Sequence, residues 1–72
     1  MSKSYDSASR LYDAAAEELE QAAAHCRTAA GHFRGGEVPR GAAHAWAALG
    51  HIRTAEESLD AQAREHARKS TP

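Results

Sequence analysis

Histidine is the residue type whose number and spacing in this chain could do chemistry. The sequence contains five histidines in 72 residues, and four of them form two pairs with seven-residue spacing, His25 with His32 and His44 with His51. Neutral imidazole nitrogens bind zinc, nickel and copper(II). Two histidines seven residues apart on one helix are separated by about 10.5 Å, too far to share an ion held at about 2.0–2.1 Å. A metal site therefore needs histidines from two elements.

The elements that position these histidines are indicated by one strong interruption of the chain. Gly35 and Gly36 suit the end of a helix, Pro39 suits the first turn of the next one, and Ser4 is a candidate N-cap. The sequence thus predicts an all-α fold, an antiparallel two-helix hairpin that forms a single domain over residues 1–72. Its predicted parts are helix 1 at about 5–34, a loop at about 35–38 and helix 2 at about 39–68.

A seven-residue repeat, with positions labelled a to g, predicts how the helices pack. In helix 1 the a positions are mostly large and the d positions are all alanine, and helix 2 follows a similar scheme. Small residues at d allow the helix axes to approach closely, so we expect a tight, alanine-rich antiparallel coiled coil. Cys26, in the middle of an a column, is expected in its core. The a positions are Tyr5, Tyr12, Leu19, Cys26 and Phe33 in helix 1 and Val38, Ala45, Ile52 and Leu59 in helix 2; the d positions are Ala8, Ala15, Ala22 and Ala29, and Gly41, Ala48, Ala55 and Gln62.

The composition predicts that the hairpin assembles further. Of the 30 residues counted as hydrophobic, 18 are alanine, which leaves 12 larger apolar side chains. Chains this short rarely bury enough apolar surface alone, so we expect a homodimeric four-helix bundle. The alternatives are a different protein partner and, for Trp46, an ordinary partly exposed aromatic residue. The predicted interface is the flank of small e positions together with the single tryptophan: Ala16, Ala23, Ala30, Ala42, Trp46 and Leu49.

The four spaced histidines all fall at g positions, which face each other in an antiparallel pair. A fold-back at residue 38 puts His25 across from His51 and His32 across from His44. Each level could hold zinc, nickel or copper through two imidazoles. Glu18 continues the same column one heptad before His25. On a single helix these two residues are therefore about 10.5 Å apart along the axis. A polar flank without metal and a histidine-lined interface are the alternatives.

Enzymatic interpretations have less support. Arg27 and His32 match the Arg-x4-His spacing that helical ribonucleases of the HEPN class carry, and Thr28 follows the arginine where those enzymes usually have a polar residue. The chain is shorter than those enzymes, and two helices do not make their fuller bundle. A minimal ribonuclease is therefore a further alternative, and no catalytic residue is assigned.

Charge and cysteine content limit the partners. A net charge of −1 provides no overall field for nucleic acid or an anionic membrane, and the longest apolar runs fall far short of the roughly 20 residues needed to cross a bilayer. One cysteine fits a reducing compartment, which suggests the cytoplasm. We therefore expect a non-enzymatic helical interaction module, with a metal-binding bundle as the alternative.

Overall fold

Two long helices make up the described part of the chain. The computed structural model describes residues 3–71, in which α1 spans Lys3–Arg34 and α2 spans Val38–Lys69. The molecule measures 51 × 30 × 13 Å. Glu18 hydrogen-bonds to His51 and His25 to His44, so residue numbers rise along α1 as they fall along α2, and the helices run antiparallel. The predicted all-α helical hairpin is confirmed. Neither helix has an apolar stretch of the length that a membrane crossing requires.

The turn between the helices is closed by glycine. Gly36 has a φ of 75°, a left-handed conformation that residues with a Cβ adopt at a cost. Its N–H donates to the Phe33 carbonyl at 3.0 Å, and the Glu37 N–H donates to the His32 carbonyl at 2.8 Å. These two bonds form the Schellman pattern, which satisfies the last carbonyls of α1. The glycine pair therefore ends the helix as predicted.

The helix ends differ slightly from the predicted bounds. α1 already includes Ser4, which lies inside the helix and not at its N-cap. α2 begins at Val38, one residue before the predicted start, with Pro39 in its first turn where the missing N–H costs nothing. The turn is consequently limited to residues 35–37.

The seam between the helices consists of residues with small or absent side chains. The buried alanines are 2–6% exposed, and Gly41 is buried with them. All occupy predicted d positions, so the prediction of close packing along d is confirmed. The buried residues are Ala15, Ala22, Ala29, Gly41, Ala48 and Ala55.

The a positions do not share this burial, and here the sequence prediction is wrong. Cys26, expected in the core, is exposed. Of the remaining a positions, only Ile52 and Leu59 are half-buried. Because alanine at d draws the helices together, d lies at the centre of the seam and the a positions lie to one side. The large side chains left exposed there are Tyr5 (69%), Tyr12 (54%), Leu19 (46%), Phe33 (47%) and Val38 (57%).

Candidate functional site

The four spaced histidines lie together on one flank of the hairpin, as the g positions predicted. The rings of His25 and His51 are stacked with centroids 5.4 Å apart, and those of His32 and His44 are stacked at 5.5 Å. These are the pairs expected from the sequence. The closest approach is a different one: Nδ1 of His25 and Nδ1 of His44 are 2.9 Å apart, a hydrogen-bonding distance. Each central histidine therefore has two neighbours on the opposite helix, because residues of the two helices interleave.

A carboxylate lies at each end of this row of histidines. Nδ1 of His51 is 2.6 Å from Oε1 of Glu18, and Nδ1 of His32 is 3.5 Å from Oε2 of Glu37. The sequence pattern placed Glu18 in the column of His25 and His32 on α1, one heptad from the nearest of them. It did not predict the contact with His51, because that histidine belongs to α2. Glu37 was assigned only to the loop. A seven-residue spacing that includes Glu18, His25 and His32 was the signal that could have revealed the first contact.

We call this row the histidine ladder. In spatial order its members are Glu37, His32, His44, His25, His51 and Glu18.

The hydrogen bonds of the ladder restrict which ring nitrogens of its histidines carry a hydrogen. A carboxylate can only accept, so Nδ1 of His51 donates to Glu18, which leaves Nε2 of neutral His51 with a free lone pair. Between His25 and His44 one Nδ1 must donate and the other accept. The His51 and Glu18 side chains are each 33% exposed, and water therefore reaches the ladder. The flank thus combines closely spaced imidazoles with access of water, which allows an ion to reach them.

The residues predicted to bind metal are thus brought together, but not as a closed set. Across residues 3–71, no three histidine, cysteine, aspartate or glutamate side chains form a ready ligand group. The ladder offers imidazoles in pairs. His66, which the sequence left outside the pairs, is exposed and also lies outside the ladder.

The opposite flank carries the exposed a positions, whose large side chains are uncharged. We call Tyr5, Tyr12, Leu19, Phe33 and Val38 the open face. Trp46 is 72% exposed and lies about 160° around α2 from buried Ala48, on the outer side of that helix and away from the seam. Of the predicted interface residues, Ala23, Ala42 and Leu49 are half-buried, whereas Ala16, Ala30 and Trp46 are exposed.

The ribonuclease-like pair is separated in the structure. Arg27 and His32 are five residues apart on α1, which places them about 140° apart around the helix. Arg27 is exposed, whereas His32 is half-buried in the ladder beside Glu37. One chain therefore does not bring the two side chains to a common site.

Comparisons of the chain with protein-family models, with curated proteins and with solved structures find no match.

Proposed function

We propose that this chain is a non-enzymatic interaction module that works as a homodimer. Two hairpins pack through their open faces and form an antiparallel four-helix bundle, which serves as a small regulatory or accessory subunit. The supporting observation is the contrast between a buried core of small residues and an open face of large ones. Folding normally places large apolar side chains inside, and here a second chain is needed to cover them.

The accessible surface of the hairpin supports a dimer quantitatively. A typical folded monomer of 7.7 kDa exposes about 4,300 Å², whereas this chain exposes 5622 Å². The excess of about 1,300 Å² is larger than the roughly 800 Å² that each partner buries in a standard interface. Burying that area on each chain would lower its exposed surface to about 4,800 Å², closer to the value for a typical monomer.

The chemistry of the open face favours a second copy as the occupant. Its five members carry no charge, so a face of the same kind meets it without leaving an ionised group unpaired. A twofold axis brings identical patches together and closes the assembly at two chains. The histidine ladders then lie on the two outer sides. A different protein partner is the competing outcome.

Charge placed on the open face tests this proposal. The wild-type chain should be a dimer by sedimentation equilibrium at micromolar concentration, and its unfolding midpoint should rise with concentration. Leu19→Glu should dissociate the dimer, because a carboxylate would be buried in the interface. Gln21→Glu, a matched change at an exposed position outside the open face, should leave the dimer intact.

Two results would contradict the homodimer. One is a wild-type chain that stays monomeric at high micromolar concentration while its circular dichroism shows a folded hairpin. The other is a Leu19→Glu variant that dimerises as well as Gln21→Glu. Trp46 fluorescence adds a local measurement: emission that is unchanged on dimerisation is expected for a contact through the open face, whereas a shift to shorter wavelength would place the tryptophan in the interface, as the sequence predicted.

We also propose a cytoplasmic location. The thiol of Cys26, the single cysteine, is exposed and unbridged, which suits a reducing compartment.

A further inference from the structure

The two central histidines of the ladder come from different helices and meet through their ring nitrogens. His25 belongs to α1 and His44 to α2, and their Nδ1 atoms are 2.9 Å apart. We propose that this pair binds one divalent transition-metal ion of tetragonal geometry, copper(II) or nickel(II). The hydrogen that the two nitrogens share moves to Nε2 of its own ring, so that both neutral imidazoles present an Nδ1 lone pair. The ion then lies to one side of the line between the nitrogens, and water fills its remaining positions.

The distance between the nitrogens favours this geometry. Two nitrogens at about 2.0–2.1 Å from one ion, at adjacent corners of a square, are separated by about 2.8–3.0 Å. The observed 2.9 Å falls in that range. A tetrahedral ion would need about 3.3–3.4 Å between the same atoms. The pair therefore matches copper(II) or nickel(II) more closely than zinc.

The surroundings of the pair allow the rings to turn toward an ion. Both side chains are only partly buried, so no packed core holds the rings in place. The outer histidines do not offer the same pair of atoms, because Nδ1 of His51 donates to Glu18 and Nδ1 of His32 lies beside Glu37. These two carboxylates also make the flank attractive to a cation.

The position of the pair also predicts an effect on folding. Because the ligands come from two helices, the ion links them and binds the folded hairpin more tightly than the unfolded chain. Copper(II) or nickel(II) should therefore raise the melting temperature of the wild-type chain. This inference is independent of the proposed homodimer, since the ladder and the open face lie on opposite flanks.

The test uses the full chain without an affinity tag and copper(II) as the probe at neutral pH. Every chain compared carries Cys26→Ser, because copper(II) oxidises an exposed thiol and is itself reduced. Titration calorimetry should give one copper per chain, and the electron paramagnetic resonance spectrum should show a tetragonal ion with two nitrogen ligands. His25→Ala and His44→Ala should each weaken binding at least tenfold and abolish the increase in melting temperature. His66→Ala, which removes an exposed histidine outside the ladder, should change neither.

Three outcomes would overturn the inference. The first is wild-type binding no tighter than that of the His25→Ala/His44→Ala double variant, with both chains helical by circular dichroism. The second is a loss of binding in His32→Ala or His51→Ala as large as that in His44→Ala, which would place the ion elsewhere on the ladder. The third is a spectrum with a single nitrogen ligand. Sedimentation of the same samples reports separately on the homodimer.

Discussion

Replacing glycines of α2 by alanine would measure how tightly Phe33 packs against the seam. Gly50 is exposed, and a Cβ added there meets no atom within 4 Å. At Gly41, by contrast, the added Cβ would lie 2.8–2.9 Å from three atoms of the Phe33 ring. Both substitutions replace glycine by a residue of higher helix propensity, but only the one at Gly41 meets another side chain. The difference between their effects on the free energy of unfolding therefore reports the contact with the Phe33 ring.

The expected magnitudes follow from these distances. Gly50→Ala should stabilise the hairpin by about 0.5–1 kcal/mol, the usual gain inside a helix. Gly41→Ala requires the ring to move by about 0.6–1.2 Å to reach the normal carbon–carbon separation of about 3.5–4.0 Å. Overpacking costs about 1–3 kcal/mol, and because Phe33 is 47% exposed its ring can swing outward, so we expect the low end. The net effect of Gly41→Ala should be near zero, about 1 kcal/mol less favourable than Gly50→Ala.

Urea unfolding followed by circular dichroism, at one protein concentration for all variants, provides the measurement. In a Phe33→Ala background the clash is absent, so Gly41→Ala should there regain the full gain seen for Gly50→Ala. This double-mutant comparison separates the ring contact from helix propensity. Equal stabilisation by the two glycine substitutions in the wild-type background would refute the packing of Phe33 over Gly41.

The remaining predictions concern the turn, the seam and the ladder, all measured as free energies of unfolding. Gly36→Ala should cost about 1–2 kcal/mol because of its positive φ, and a stabilised variant would contradict the turn geometry. Ala22→Leu should destabilise by about 1–3 kcal/mol because that alanine is 4% exposed, whereas exposed Ala14 should accept leucine with little effect. Glu18→Gln should cost up to about 1 kcal/mol by weakening the bond to its one-third-exposed imidazole partner, and an equal cost for exposed Glu17→Gln would argue against that bond.

The hairpin and its seam could be predicted because they depend on local signals. A glycine pair followed by proline marks one turn, and a chain with a single strong turn signal has few ways to fold back. The repeat of alanine at d is a geometric signal that survives small errors in the helix bounds. For this reason Ala22 and Ala48 were assigned correctly to the seam, although α1 begins before its predicted start.

The a positions were mispredicted because the heptad rule assumes side chains that interdigitate. With large residues at both a and d, each fills a gap in the other helix and both are buried. Here d is mostly alanine, so the helices approach until the methyl groups meet, and no gap remains for Tyr12 or Leu19. Phe33 is the exception, because its ring packs over Gly41, where the seam has no methyl group. The sequence pattern shows which positions repeat, but the separation of the helices decides which repeat is buried.

The ladder was predicted in outline and missed in detail for a related reason. The spacing of the histidines fixes their flank, but their partners depend on the exact offset between the helices. A fold-back at residue 38 aligns His25 with His51, whereas the observed turn also brings His25 within 2.9 Å of His44 and His51 within 2.6 Å of Glu18. An error of half a heptad in the predicted position of the turn is enough to change which residue of the opposite helix lies beside a given histidine.

The buried alanine column has a further consequence, for the choice among alternative alignments of the two helices. If α2 slid along α1 by seven residues, alanine would again meet alanine over most of the seam, at nearly the same energy. Methyl groups alone therefore discriminate poorly between alignments, unlike large side chains that fit only one gap. Three features break this near-degeneracy: the short turn, the Phe33 ring over Gly41, and the hydrogen bonds of the ladder. In this hairpin the hydrogen bonds of the polar flank help to select one alignment of the helices. The contacts between alanines in the seam stabilise the hairpin but depend little on which alignment is formed.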